Sequence, residues 1–100
     1  LLATKVVDTI KKSKLNIAES TVDRTNLWQA QTPQMYRYGL LLEALNSAHN
    51  EGVHITDEAS AIERMGLSSL LVESSKTNLK ITNPEDLSLA NFYLKQASTL

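Results

Sequence analysis

A helical repeat with a stop on either side constrains this chain more than any other feature. Tyr38, Leu41, Leu42, Leu45 and Ala48 recur at helical spacing, which predicts one apolar face along Arg37–His49. Ahead of it, Pro33 keeps Thr32 out of the helical region, so Thr32 should be extended or in a turn. Behind it, Asn50-Glu51-Gly52 ends the helix. Short β-forming runs lie on both sides. Strands alternating with helices argue for an α/β fold with an at least partly parallel sheet.

The flanking segments fill in that outline. Leu2–Asp8 reads as a short strand or extended edge, with Val6 and Val7 its best β formers. Lys11-Lys12-Ser13-Lys14 reads as a solvated turn or the tip of an arm, and Thr21-Val22-Asp23-Arg24 as the returning strand. Such an arm has little core of its own and would need a partner surface. After Val53-His54-Ile55, either Thr56 or Asp57 can cap a helix whose short apolar face is Ala59, Ile62 and Met65, before Gly66 ends it. Leu70-Leu71-Val72 predicts a buried strand, and Leu79-Lys80-Ile81-Thr82 an alternating one. Asn83 can cap a last helix that opens on Pro84, Glu85 and Asp86. Its apolar side would be Leu87, Ala90, Leu94 and Ala97, widened by Phe92 and Tyr93. Two or three core strands are few for a sheet covered on both faces. A missing part is therefore expected to supply the others, and the opening Leu1-Leu2-Ala3 without a methionine fits either a mature terminus or the inside of a longer chain.

Composition removes several function classes. Ten basic and eleven acidic residues give a net charge of −1, which offers no general field for a nucleic-acid backbone or an anionic membrane. No cysteine is present, which excludes disulfides, thiol catalysis and thiolate metal sites. No apolar run approaches the roughly 18 residues that span a bilayer. A cytoplasmic protein with no nucleic-acid or membrane partner is the expectation. Gly39, Gly52 and Gly66 are too scattered for a phosphate-binding loop, and His49 and His54 do not share a metal-ligand spacing.

Four small constellations remain, each with two readings. Arg24 can be a surface ion pair or a guanidinium fork for phosphate. Thr32, inside Gln31-Thr32-Pro33-Gln34, can form a turn or donate its hydroxyl to a phosphate or sugar. Thr56-Asp57-Glu58 can cap a helix or border an anion site at its positive end. Lys80 can be an exposed lysine or a ligand-facing amine at the carboxyl end of a strand.

Those constellations lie within Asp8-Thr9-Ile10-Lys11, Thr21–Arg24, Leu27–Gln34, Ile55–Ala61, Leu71-Val72-Glu73 and Asn78–Leu87. In that order, over nearly the whole chain, they resemble the 2-C-methyl-D-erythritol 4-phosphate cytidylyltransferases. The resemblance implies an incomplete Rossmann-like nucleotidyltransferase domain with an extended β-arm. Residues 1–100 would be the carboxy-terminal part of a single domain, and an arm at about 8–25 would clasp a second subunit in a homodimer. The activity implied is transfer of CMP from CTP to the methylerythritol phosphate in non-mevalonate isoprenoid precursor synthesis, with release of pyrophosphate and help from Mg²⁺. Thr9, Arg24, Thr32 and Thr56 are carried over as substrate contacts, Asp57 as a site-shaping residue and Lys80 as the catalytic amine. The glycine-rich CTP loop, the cytosine-recognition segment and the acidic metal ligand have no counterpart in this sequence. The 100 residues alone are therefore expected to be inactive. Ser74-Ser75-Lys76 departs from the glycine-containing connection frequent in relatives. A cytidylyltransferase for ribitol 5-phosphate or a related polyol phosphate is the nearest alternative, and a non-catalytic dimerisation domain is another.

Overall fold

In the computed structural model, residues 1–98 are described. Three strands form the main sheet: β1 (Leu2–Lys5), β4 (Trp28–Ala30) and β5 (Val72–Glu73), in the order β4-β1-β5. β1 pairs antiparallel with β4, Ala3 opposite Ala30, and parallel with β5, Leu2 opposite Val72. The expected parallel component is thus present. Ala3 and Thr4 are buried on β1, whereas Lys5 turns outward and sets its ammonium 5.6 Å from the Trp28 ring centre.

Between β1 and β4 the chain leaves the sheet as a hairpin of β2 (Ile10–Lys14) and β3 (Ile17–Val22). The predicted tip at Lys11–Lys14 is corrected here: those residues form β2, and the turn is Leu15-Asn16, both at positive φ (52° and 64°). A two-residue hairpin connection favours such angles because its twist then matches that of the strands. Asparagine tolerates this region, while leucine is an unusual occupant. Leu15 is 88% exposed and Ile17 71% exposed, so the arm tip presents apolar surface to solvent. The returning strand ends at Val22; Asp23 instead forms a local turn by accepting from the Thr25 amide and hydroxyl at 3.0 and 2.6 Å.

The core lies between α1 (Tyr38–Asn50) and α2 (Glu58–Arg64). Ala44, Ala61 and Ile62 are buried at its centre, with Tyr36, Leu40, Leu41, Leu45, Ile55 and Met65 packed round them. Small alanines allow the two helices to approach and let Ile62 fill the space. Tyr38, expected on the apolar face, is 81% exposed. It opens the helix, where Leu41 and Leu45 already define the face toward α2. Gly52 and Gly66 leave the two helices at positive φ, as the predicted stops require.

Two further strand expectations fail. Leu70 and Leu71 lie outside any strand, and Val72 is half exposed within the short β5. Leu79–Thr82, including Lys80, is irregular. A strand needs a neighbouring edge for its N–H and C=O groups, and among the described residues Leu79–Thr82 has no ladder partner. The last helix, α3 (Pro84–Ser98), forms as predicted, but none of its residues is fully buried. Ala90, Tyr93, Leu94 and Ala97 line a groove against Thr77, Leu79 and Ile81, but Leu94, like Leu87 and Phe92, stays more than half exposed. The radius of gyration, 16.8 Å, exceeds the roughly 13 Å of a compact domain of this length. The hairpin, which among the described residues packs on no other element, accounts for part of that excess.

Candidate active site

The polar residues between β4 and α1 are drawn together by side-chain amides. Gln31 is anchored to the sheet because its backbone N–H donates to the Leu2 carbonyl at 2.8 Å. Its side-chain nitrogen donates to the Ser75 carbonyl at 3.1 Å. Asn78 donates to the Thr32 carbonyl at 2.7 Å, so the segment leading to Lys80 is tied to the loop that carries Thr32. The Thr32–Pro33 peptide is cis, and the Thr32 side chain is exposed.

Two residues further on, Gln34 reaches α2. Its Nε2 donates to Asp57 Oδ2 at 3.0 Å and its Oε1 accepts from the Ala59 amide at 3.0 Å. Asp57 is the N-cap of α2: its Oδ1 accepts from the Ser60 amide at 2.8 Å, and Ser60 Oγ lies 3.3 Å from the Asp57 amide, completing a capping box. Of the two candidate caps, Asp57 therefore serves and Thr56 is left exposed just before it. The Gln34 donor holds the Asp57 carboxyl below its ordinary value of 3.8; partial burial opposes this, and the amide and side chain of Ser60 reinforce it.

The other expected site residues lie apart from this network. Arg24 is exposed, and its guanidinium donates to the Val7 carbonyl at 2.5 Å across the root of the arm. It makes no ion pair: among the described residues the recorded pair is Arg64 with Glu51. Thr9 lies in the same root, exposed, immediately before β2. Lys80 is exposed on the irregular segment before α3. That segment is shaped by Asp86, whose carboxylate accepts from the Thr82 and Asn83 amides at 3.1 and 2.9 Å. Those bonds, Asn83 first, lower the Asp86 carboxyl below its ordinary value. In place of the cap expected from the Asn83 side chain, the bonds at this end run from the Thr82 and Asn83 amides to the first-turn acid Asp86.

Gln34 ties the loop that carries Thr32 to the Asp57 cap that follows Thr56, and Asn78 ties the segment ahead of Lys80 to the same loop, while Thr9 and Arg24 lie at the arm root. Gln31, Gln34 and Asn78 were not singled out from the sequence, although all three flank residues that were. Their signal was amide side chains on either side of a hydroxyl in a loop next to a helix cap. Among the described residues no three carboxylate or imidazole groups converge to hold a metal ion.

This order of motifs and this geometry have a match among known proteins. The family described as IspD, 2-C-methyl-D-erythritol 4-phosphate cytidylyltransferase, matches residues 1–96. The chain belongs to this family. The family's enzyme from Ruthia magnifica is 69% identical over 96 residues, which cover 96% of this chain and 40% of the relative. Its counterpart from Vesicomyosocius okutanii is 70% identical with the same coverage. The chain thus spans about 40% of the length of these curated relatives. The crystal structure of the Francisella tularensis cytidylyltransferase superposes with a TM-score of 0.83 at 42% identity, covering 91% of this chain and 43% of that one. A crystal structure of a 4-diphosphocytidyl-2C-methyl-D-erythritol synthase gives 0.82 at 44% identity, covering 93% and 42%. The fold is that of the family's α/β nucleotidyltransferase domain, represented here in part. No helix among the described residues is long and apolar enough to cross a membrane.

Proposed function

We propose that the protein carrying these residues is a cytidylyltransferase that joins CMP from CTP to 2-C-methyl-D-erythritol 4-phosphate and releases pyrophosphate, in isoprenoid precursor synthesis. The observation that carries this reading is the amide network. It gathers the Thr32 loop, the Thr56–Asp57 turn and the approach to Lys80, within a chain that matches this family over residues 1–96. A phosphate oxygen of the acceptor attacks the α-phosphorus of CTP; that P–O bond forms as the bond to the pyrophosphate oxygen breaks. Negative charge grows on the phosphoryl oxygens, and the Lys80 ammonium neutralises it. Thr32 and Thr56 offer exposed hydroxyls to the acceptor, and Asp57 fixes the turn beside them. Positioning and charge neutralisation are then sufficient, with no covalent enzyme intermediate.

The same reading makes residues 1–100 the carboxy-terminal part of the domain and the hairpin within about 8–25 its dimerisation arm, which would present Thr9 and Arg24 to the partner's site. The exposed apolar tip and the absence of packing beneath the hairpin support this. Magnesium belongs to the family's reaction, but the described residues form no cluster that fits it. Residues outside this segment supply its protein ligands, and the 100 residues alone are inactive. The setting is cytoplasmic.

The deciding experiment compares CTP-dependent pyrophosphate release with methylerythritol phosphate and with ribitol 5-phosphate, using the full-length protein. Selective turnover of the first is expected. Selective turnover of ribitol 5-phosphate would replace this substrate, and turnover of neither would end the reading.

A further inference from the structure

The Gln34 side chain makes more connections than a surface glutamine needs. One amide donates to the Asp57 carboxylate at 3.0 Å and to the Gln31 carbonyl at 3.4 Å, and accepts from the Ala59 amide at 3.0 Å. Its orientation is fixed by these partners: turned over, it would face the carboxylate with an oxygen and the Ala59 N–H with an NH₂ group. Together with Asp57 it occupies two N–H groups of the first turn of α2, those of Ala59 and Ser60. That helix end therefore fastens a loop and does not hold those groups open for an anion. Ala59 is buried, so the fastening point is anchored beside the core formed by Ala61 and Ile62.

We propose that Gln34 is a positioning residue for the acceptor phosphate: it sets the Thr32 loop at a fixed distance from the Thr56–Asp57 turn without touching substrate. This rests on the function proposed above and extends it to a residue with no charge and no reacting atom. Thr32 lies two residues before Gln34, and Thr56 directly precedes Asp57. Loss of the bridge frees the two hydroxyls to move relative to each other, and a shift of about 1 Å at such contacts can cost on the order of a hundredfold in rate.

An exchange of chemistry across the bridge tests this in the full-length enzyme. Gln34→Glu sets two carboxylates face to face, and Asp57→Asn sets two amide donors face to face. The double variant Gln34→Glu/Asp57→Asn restores a donor opposite an acceptor, keeps an acceptor for Ala59 and Ser60, and leaves net charge unchanged. Gln34→Glu should raise KM for methylerythritol phosphate about tenfold while KM for CTP stays within about twofold, in line with loss of a charge-assisted hydrogen bond. The double variant should return to within about threefold of the parent, given the residual differences usual for coupled sites. A merely structural role would lower the active fraction, and hence apparent kcat, without moving one KM alone. An unchanged KM in Gln34→Glu, or a double variant no better than the single one, overturns the proposal. If Gln34→Glu does not fold, the double variant is compared with Gln34→Ala, and equal KM values in those two overturn it. If the parent turns over no methylerythritol phosphate, the functional reading has failed. Hydrogen exchange at the Ala59 and Ser60 amides then decides whether the bridge exists: faster in Gln34→Glu and restored in the double variant if it does, unchanged if it does not.

Discussion

Replacing Asp57 by alanine removes the N-cap of α2 and the acceptor for Gln34 in one step. Loss of an aspartate cap costs about 1 kcal/mol, and up to about 2 in a folded protein. The bond from Gln34 to the carboxylate is half-buried and charge-assisted, contributing about 1.5 kcal/mol. The two share one carboxylate and are not fully additive, so we expect a loss of roughly 2–3 kcal/mol. The effect reaches the core because α2 is only seven residues long and supplies Ala59, Ala61 and Ile62 to it. Fraying of the first turn exposes Ala59 directly. Urea unfolding followed by circular dichroism reads the loss. Asp57→Asn should fall between parent and alanine, since asparagine caps well but confronts Gln34 with a second donor. The pH dependence follows from the lowered carboxyl. The folded-state pKa lies below the unfolded 3.8, so the Asp57 contribution is complete above that pH and is lost as pH falls through the folded value. The stability gap between parent and Asp57→Asn should therefore narrow below pH 3.8. A loss under about 0.5 kcal/mol in Asp57→Ala, the range of an ordinary surface change, would refute the reasoning.

Other consequences can be checked separately. Ile62→Ala empties the largest fully buried side chain and should destabilise by about 2–5 kcal/mol in the same unfolding assay. Lys80→Ala should lower cytidylyl transfer by at least about a hundredfold with an unchanged circular dichroism spectrum, as expected when a charge acting mainly in the transition state is lost. Near-normal turnover would remove Lys80 from the mechanism. Arg24→Ala should raise KM for the polyol phosphate more than KM for CTP; equal effects on both would place Arg24 outside the acceptor site. Leu15→Asn relieves a positive φ and should leave the hairpin at least as stable, yet weaken self-association measured by sedimentation if the tip is an interface. An unchanged dimer would take Leu15 out of that contact.

The sequence by itself determined the local elements whose signals are covalent or nearly so. Gly52, Gly66 and the Pro84-Glu85-Asp86 start fall where backbone geometry allows few choices, and the helices end or begin beside them as expected, whereas Pro33 stands five residues ahead of Tyr38, where α1 starts. The ordered motifs also identified the family. Tertiary structure decided the rest. Leu70–Val72 and Leu79–Thr82 have the composition of strands, but a strand exists only where another edge can take its hydrogen bonds. Val72–Glu73 finds such an edge on β1, and ahead of it the Leu70 carbonyl accepts from the Leu1 amine at 2.7 Å. Lysines at 11, 12 and 14 looked like a turn, yet a two-residue loop at Leu15-Asn16 fixed the pairing and placed them in β2. At the site, Thr32 and Thr56 could be chosen by residue type. Their association depends on Gln34 crossing 23 positions of chain to Asp57, and on Asn78 crossing 46 to Thr32. No periodicity encodes contacts that distant, because they exist only where the tertiary fold places the Thr32 loop beside the α2 cap and the Asn78 segment.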